Sequence, residues 1–144
     1  MLLKSAIERT RTKLFLAGAL ALTSCQHPTA PGRAALPFGS VDTPSSKAVV
    51  EGTLPVAGWA LAEQPIQAVS VYVDRQFVAN AALKLARPDV AGAKPGYHDA
   101  ANSGWMATLD TTSLAPGWHE LVVQARSRDG ATRDLATVPI SVKR

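Results

Sequence analysis

The chain has 144 residues, a length that favours a single domain. Its formal net charge is +4, but residues 1–24 hold four basic side chains and one acidic side chain, so only about +1 remains for the rest. So small a charge gives no general basis for binding nucleic acid. The single cysteine excludes an intramolecular disulfide and any zinc site built from several cysteines.

The N-terminal segment has the layout of an export signal. Residues 4–13 carry four basic side chains, and residues 14–22 (LFLAGALAL) form an uninterrupted apolar run. A transmembrane helix needs about 20 apolar residues, so this run is too short to span a bilayer. The order of charged, apolar and small residues predicts a signal peptide over residues 1–24.

The signal ends in Leu22, Thr23, Ser24 and Cys25, a sequence that resembles the lipobox of bacterial lipoproteins. The resemblance implies cleavage before Cys25, a diacylglycerol on its sulfur and usually a third acyl chain on its amine. Two or more chains hold a protein firmly at a membrane, whereas one holds it only marginally. We therefore expect a lipid anchor at the cell membrane or outer membrane, with the domain exported to the periplasm or the cell surface. An ordinary cleaved signal with an incidental cysteine is the alternative.

Residues 25–46 show no hydrophobic periodicity. Proline, glycine and serine recur throughout them, and such a composition buries too little apolar surface to offset the entropy of ordering. We predict that the acylated Cys25 is followed by a flexible tether that ends at residue 46. The folded domain is predicted over residues 47–144.

The predicted domain consists of short strands separated by turns. Val69, Val71 and Val73 alternate with smaller or polar residues, which is the period of a half-buried strand. Asp74 and Arg75 then predict a tight hairpin turn. Residues 76–83 are expected to return as one strand, with Phe77 and the following odd-numbered side chains on one face.

A long loop over residues 84–103 follows, and further strands are predicted at 104–109, 118–126 and 132–142. Pro139 lacks an amide donor, which favours an edge strand or a bulge in the last of these. No segment has sustained helical periodicity. About seven short strands with turns between them predict an all-β fold, a single antiparallel β-sandwich. A small, partly open barrel is the alternative.

Several segments resemble bacterial immunoglobulin-like domains. Residues 114–123 (LAPGWHELVV) are similar to the L-x-P-G-x-[YH]-x-L-x-V signature that leads into the penultimate strand of those domains. Residues 69–74 (VSVYVD) are similar to their V-x-V-x-V-D-G hairpin, with Arg75 in place of the usual glycine. Residues 87–105 resemble a loop of versions attached to envelope proteins. The resemblance covers about residues 48–142 and implies an immunoglobulin-like sandwich, a fold that serves many functions.

His119 is a candidate for chemistry because Glu120 follows it. Adjacent strand residues point to opposite faces of a sheet, so these two side chains do not easily share a site. Related sandwiches place a corner tyrosine here, which hydrogen-bonds to upstream backbone. We expect His119 to have that structural role.

The long loop holds a second polar group, His98 and Asp99 with Ser103 nearby. Nucleophilic catalysis needs a base within about 3 Å of the nucleophile and an acid that orients the base. The spacing of these residues gives no sign of that geometry, and turn or capping chemistry is the favoured interpretation. The aspartates fall at turns or strand ends, without the clustered oxygen ligands that calcium requires. We expect no catalytic residue, no metal and no cofactor.

The aromatic side chains provide a candidate ligand surface. Trp105 lies on the apolar face of its strand and is expected in the core, whereas Trp118 alternates to the opposite face of its own strand. Exposed rings on one flat face can stack on sugars or anchor a protein partner. The candidate residues are Trp59, Tyr97, His98 and Trp118.

These features predict a non-catalytic, membrane-anchored envelope lipoprotein whose immunoglobulin-like domain binds a protein partner or has a structural role. The alternative is a carbohydrate-binding module for cell-wall or external glycan. Exposed and clustered rings would favour sugar, and burial of Trp59, Tyr97 and Trp118 would count against it. An enzyme is expected only if His98 and Ser103 converge with Asp99 in a cleft.

Overall fold

The computed structural model describes residues 35–97 and 99–144, which form a domain made largely of β-strands. The strands are β1 (Phe38–Thr43), β2 (Ala48–Val50), β3 (Thr53–Leu61), β4 (Ile66–Val73), β5 (Gln76–Asn80), β6 (Ala82–Leu85), β7 (Gly104–Asp110), β8 (Gly117–Ser127) and β9 (Thr132–Val142). A short helix, α1 (Pro88–Ala93), and two 3-10 turns, Ala100–Asn102 and Thr111–Ser113, lie in the connections. Over the described residues, the helical segments are too short or too polar to cross a membrane.

The strands form two sheets. The four-stranded sheet has the order β1-β3-β7-β6, and the five-stranded sheet has the order β2-β9-β8-β4-β5. The pairings are antiparallel except that of β2 with β9, which is parallel and three residues long. Buried side chains from both sheets form one common core, so the predicted all-β sandwich is confirmed.

The core is made of the alternate side chains that each sheet turns inward. Val69, Val71 and Val73 of β4 are 1%, 0% and 2% exposed, as their period-two spacing predicts. Trp105 of β7 is 1% exposed, which confirms its predicted place in the core. Full burial of a side chain of the size of valine or larger stabilises the fold by about 1.5–3 kcal/mol before entropy is counted.

The turn between β4 and β5 is the predicted hairpin. Asp74 and Arg75 both have positive φ values, 49° and 68°. A two-residue hairpin loop of the I′ type requires positive φ at both central positions, because only then does its twist match that of the strands. Aspartate tolerates this region, whereas arginine occupies it at some cost where related domains have glycine.

The sandwich begins at Phe38 rather than at Lys47, since β1 lies inside the segment predicted as a tether. β1 pairs with β3, and Gly39 lies beside Ala60 in the register. A Cβ at Gly39 would collide with the carbonyl oxygen of Trp59, so the two backbones approach closely there. Gly39, which counted toward a flexible spacer in the sequence, therefore permits the close contact of β1 with β3. The remainder of the predicted tether up to residue 34, with the signal peptide and Cys25, lies outside the described residues.

The predicted single strand over residues 76–83 is wrong in two respects. It is divided into β5 and β6, which belong to different sheets. A register shift opposite Val71 and Tyr72 leaves Val78 as the extra residue of a bulge, and Phe77 consequently pairs with the outward-facing Tyr72. Phe77 is 57% exposed and not in the core. The long loop that follows contains α1, which its sequence did not predict.

Pro139 lies where β9 is the edge of the five-stranded sheet. β2 covers only Ile140, Ser141 and Val142 on that side of β9. The missing amide of Pro139 therefore leaves no gap in a central ladder, and the predicted edge position is confirmed.

Candidate functional site

Two of the predicted ligand residues, Trp59 and Tyr97, meet around Phe38. The Phe38 ring lies 5.9 Å from the Trp59 ring and 5.3 Å from the Tyr97 ring, both in edge-to-face geometry. All three are partly buried and pack against a small second core that includes Leu61 and Val90. These rings fasten the segment that contains α1 to the outer face of the four-stranded sheet. His98, the neighbouring candidate, lies outside the described residues.

Arg87 holds the same segment in place. Its guanidinium forms a bidentate pair with Asp89, with N–O distances of 2.9 and 2.7 Å, and its Nη1 donates to Asp42 of β1 at 2.7 Å. The hydrogen bonds to Asp89 are the largest cause that raises the pKa of Arg87, and the same contacts lower the pKa of Asp89 to about 2. The Asp42 contact was missed because Asp42 lies in the predicted tether.

Trp118 is not part of this cluster. It lies on the outer face of the five-stranded sheet and is 65% exposed, whereas Trp59 lies on the outer face of the other sheet. Trp59, Tyr97 and Trp118 therefore do not share one face, which is the arrangement that would favour the carbohydrate-binding alternative. Trp118 is exposed, whereas Trp59 and Tyr97 belong to a packed structural cluster.

Trp118 instead shares its face with apolar residues from four strands. Val49 and Trp118 lie in one row, on either side of Ser141, and Phe77, Tyr72 and Val122 lie in another. The Tyr72 and Phe77 rings are in edge contact, 5.8 Å apart. We define the outer patch as five residues of this face: Val49, Tyr72, Phe77, Trp118 and Val122. Val49 and Phe77 are 59% and 57% exposed.

The sequence could have placed Tyr72 and Val122 on this face from their alternation with buried valines. Phe77 could not be placed in this way, because the bulge at Val78 shifts it to the outer face. The outer patch is therefore only partly readable from the period-two pattern.

His119 lies at the start of β8 and is held by two acceptors. Its Nε2 lies 2.7 Å from the carbonyl oxygen of Ala115, and its Nδ1 lies 2.6 Å from Oδ2 of Asp74. A neutral imidazole has a single N–H, so both hydrogen bonds form only when the ring is protonated. The hydrogen bond to the Ala115 carbonyl and then that to Asp74 raise the pKa of His119. The charged form is thus stabilised at this corner.

Asp74 joins the β4–β5 hairpin to the start of β8. Its Oδ1 accepts a hydrogen bond from the Glu120 amide at 2.9 Å, which is the largest cause that lowers its pKa, followed by the hydrogen bond from His119. The predicted bond of His119 to upstream backbone is confirmed. The carboxylate partner is Asp74 of the distant hairpin and not Glu120, which sequence reasoning considered and set aside.

A cavity of about 360 Å³ lies at the end of the sandwich where β3 ends and β7 begins. Leu61, Asp99 and Ser103 are among its lining residues. The buried Ser103 hydroxyl donates to the Ala100 carbonyl at 2.8 Å, so its proton is engaged in holding the loop. In the described part of the chain, no three His, Cys, Asp or Glu side chains are grouped so as to hold a metal ion.

Comparison with known proteins identifies the type of fold. A family profile described as "Bacterial Ig domain" matches residues 37–123. The fibronectin(III)-like modules of Clostridium thermocellum CbhA superpose with a TM-score of 0.53 at 15% identity, over 73% of this chain and 94% of theirs. The endo-beta-1,4-mannanase of Thermotoga petrophila superposes with a TM-score of 0.52 at 16% identity, over 77% of this chain and 20% of the enzyme. At such identities the two likenesses show the fold alone. No curated protein matches the sequence.

Proposed function

We propose that this chain, which belongs to the bacterial Ig domain family, is a membrane-anchored envelope lipoprotein whose sandwich binds other proteins or has a structural role. Immunoglobulin-like and fibronectin(III)-like domains are generally non-catalytic. The fold therefore supports an interaction or structural domain. The proposed location is the cell membrane or the outer membrane, with the sandwich exported.

The anchor in this proposal is Cys25, acylated after cleavage of residues 1–24. The support is the lipobox-like sequence that ends in the only cysteine of the chain, behind a short apolar run. Twelve residues, 26–37, lie between Cys25 and the first strand. Attachment by two or three acyl chains would retain the domain at the membrane without a spanning helix.

The outer patch is the observation that carries the interaction role. Three large apolar side chains on one sheet face, Val49, Phe77 and Trp118, are each more than half exposed. Large apolar side chains exposed on one sheet face favour an interaction site, because their exposure to water is otherwise unfavourable. Tyrosine, tryptophan and phenylalanine are also the side chains enriched at protein interfaces.

The anchor is tested by replacing Cys25 with serine in the expressed full chain and separating membranes from soluble fractions. We expect the wild-type chain to remain with membranes and to incorporate a fatty-acid probe, and Cys25→Ser to lose both properties. Ser24→Ala is the matched control, since it keeps a small residue before the cysteine and should change neither. Unchanged fractionation and labelling of Cys25→Ser would refute the anchor.

The interaction role is tested by placing a photoreactive residue at Trp118 and crosslinking in intact membranes. The expected result is adduct formation from Trp118, with far less from Met106, an apolar residue that is 45% exposed and belongs to the other sheet. Equal yields from the two positions would contradict a role for the outer patch.

Glycan binding remains the second candidate because Trp118 and the Tyr72–Phe77 pair are aromatic and lie on one sheet face. Trp59 and Tyr97 no longer support it, since they pack around Phe38. A screen of cell-wall and plant oligosaccharides with wild type and Trp118→Ala separates the candidates. Saturable binding that Trp118→Ala abolishes would favour a carbohydrate module.

A further inference from the structure

The cavity at the end of the sandwich, which we call the end cavity, has an unsatisfied hydrogen-bond donor among its lining residues. Trp105 is one of those residues and is 1% exposed. Among the buried side-chain nitrogen and oxygen atoms of residues 35–97 and 99–144, only Nε1 of Trp105 has no hydrogen-bond partner. Buried polar groups in folded proteins are nearly always paired, because an unpaired group loses its bonds to water without replacement. The indole N–H is therefore a donor that a molecule in the end cavity can satisfy.

The wall of the end cavity is apolar, and its mouth is polar. Ala60, Leu61 and Trp105 in the wall are each 3% exposed or less. Ile66 and Leu83 extend this wall and are half-buried. The exposed lining residues, which mark the opening to solvent, are Gln64, Lys84, Asp99 and Asn102. An apolar cavity of about 360 Å³ with a few polar groups has the size and lining of a small-molecule site.

β6 departs from a regular strand where it borders the end cavity. Leu83 and Lys84 both line the cavity, although consecutive side chains of a regular strand point to opposite faces. Lys84 has a φ of 63°, and the pairing of β6 with β7 shifts register between Ala82 and Leu85. Left-handed backbone is unfavourable for lysine, and residues held in this way are concentrated at ligand sites. The irregular strand therefore supports a binding role for the end cavity.

We propose that the end cavity binds a small, uncharged carbonyl compound, whose oxygen accepts the Trp105 indole N–H and whose apolar body packs against the wall. A carboxylate beside the indole would lose its hydration with no buried cation to compensate, whereas a carbonyl oxygen loses far less. The charges of Lys84 and Asp99 at the mouth are opposite, so together they favour neither an anion nor a cation. The buried lining residues all lack charge: Ala60, Leu61, Ser103, Gly104 and Trp105.

A water molecule is the competing partner for the indole N–H. A buried water typically makes about three hydrogen bonds to polar groups that are otherwise unsatisfied. Among the buried lining residues, the only polar side chains are Trp105 and Ser103, and the Ser103 hydroxyl already donates to the Ala100 carbonyl. A water would therefore find few side-chain partners here. A carbonyl compound needs only one donor, since its remaining surface is apolar and matches the wall.

The inference goes beyond the proposed interaction role and rests neither on the outer patch nor on the lipid anchor. The end cavity is lined by residues of β3, β4, β6 and β7 and of the loops beside them, and Trp118 is not one of its lining residues. The Trp118 indole therefore serves as an internal control for binding elsewhere on the domain.

The test follows the indole N–H resonances of the isotope-labelled full chain, held in lipid nanodiscs, by proton–nitrogen correlation spectroscopy. The chain has three tryptophans, and Trp59→Phe and Trp118→Phe assign two of the peaks, so Trp105 is assigned without being replaced. The probes are cyclohexanone, methylenecyclohexane and cyclohexanecarboxylate. Methylenecyclohexane has the shape of cyclohexanone with a methylene group in place of the oxygen.

We expect cyclohexanone to move the Trp105 indole proton downfield and saturably, because the proton becomes hydrogen-bonded, and to leave the Trp118 resonance in place. Methylenecyclohexane should bind about tenfold more weakly, because it leaves the donor unpaired. Cyclohexanecarboxylate should bind no better than methylenecyclohexane, because its charge is desolvated at the wall.

A variant that fills the end cavity keeps the indole and tests the location. Ala62 is a half-buried lining residue just after β3, and Ala62→Leu should weaken cyclohexanone binding about tenfold, because its side chain occupies space that the ligand needs. Ala93→Leu is the matched control, since Ala93 is exposed in α1 and does not line the cavity; the dissociation constant should stay within about twofold. Unchanged circular dichroism would confirm that both variants are folded.

Four results would overturn the inference. They are no saturable shift of the Trp105 resonance by cyclohexanone, equal affinity for cyclohexanone and methylenecyclohexane, tightest binding of the carboxylate, or unchanged binding in folded Ala62→Leu. The first of these is also the result expected if only water meets the indole. None of them bears on crosslinking from Trp118 or on membrane retention through Cys25, so the end cavity and the proposed function fail separately.

Discussion

Replacement of His119 by alanine removes two hydrogen bonds at the corner where β8 begins. The imidazole joins the Ala115 carbonyl to the Asp74 carboxylate, and so connects the segment before β8 to the β4–β5 hairpin. After the substitution Asp74 keeps its bond from the Glu120 amide. The Ala115 carbonyl loses the ring that donates to it. The change therefore tests a corner that is held by a side chain rather than by strand pairing.

The expected loss follows from the exposure of the partners. A hydrogen bond between charged groups contributes about 1.5–3 kcal/mol, and one to a neutral carbonyl about 1 kcal/mol. The Asp74 side chain is 51% exposed, so solvent screening places its bond at or below the lower end of that range. We expect His119→Ala to reduce the free energy of unfolding by about 2 kcal/mol. For a domain of this size each kcal/mol lowers Tm by roughly 4–8 °C.

The loss should depend on pH in a stated direction. The pKa of His119 is raised from 6.5, so its contribution is fully present below pH 6.5 and is lost as the pH rises through the folded value. The pKa of Asp74 is lowered from 3.8, so its contribution is present above pH 3.8 and is lost as the pH falls through its folded value. The difference between wild type and His119→Ala should therefore be largest between pH 3.8 and 6.5.

Urea unfolding at several pH values measures this difference directly. Asp74→Asn should remove much of the pH dependence, because a neutral amide no longer favours the imidazolium, while it still accepts the Glu120 amide. Glu120→Gln is the control, since that exposed carboxylate is not one of the two acceptors that hold the ring, and it should leave the profile unchanged. A loss for His119→Ala below about 0.5 kcal/mol, or one that grows above neutral pH, would refute the reasoning.

Two further substitutions test the close packing of β1 and the loop. Gly58→Ala should destabilise the domain by about 1–3 kcal/mol in urea unfolding, because its Cβ would collide with the Ser40 carbonyl. Gly92→Ala in α1 is the control: its Cβ meets no atom within 4 Å, so it should be neutral or slightly stabilising. Equal changes in the free energy of unfolding for the two variants would contradict the close packing of β1 on β3. Arg87→Lys should speed amide hydrogen exchange in residues 86–103, because a lysine ammonium cannot bind Asp89 through two nitrogens and Asp42 through a third, as the guanidinium does. Unchanged exchange would show that the aromatic cluster alone holds the loop.

Much of the sandwich could be predicted because the patterns that indicate its strands and turns lie within single segments of the chain. The spacing of Val69, Val71 and Val73 predicts the buried face of β4, and Asp74-Arg75 predicts the hairpin. These patterns need no knowledge of the partner strand. The core position of Trp105 follows from the same alternation.

The features that could not be predicted depend on distant neighbours. From composition alone β1 looks like a spacer, because its glycine is taken as a sign of flexibility. In the fold, Gly39 instead permits close contact with a strand some twenty residues later. Phe77 faces outward because of a bulge that the alternation does not reveal. The partner of His119 is 45 residues away, and the packed cluster of Trp59 with Tyr97 needs Phe38 of β1. Each of these unpredicted features depends on contact between distant segments and not on a property of one segment.

Mass spectrometry of the mature protein extracted from membranes tests the central proposal most directly. The proposal predicts an N-terminal residue Cys25, with a diacylglyceryl group on sulfur and a mass that corresponds to loss of residues 1–24. A mature chain that begins at another residue, or that begins at Cys25 with a free thiol, would contradict it.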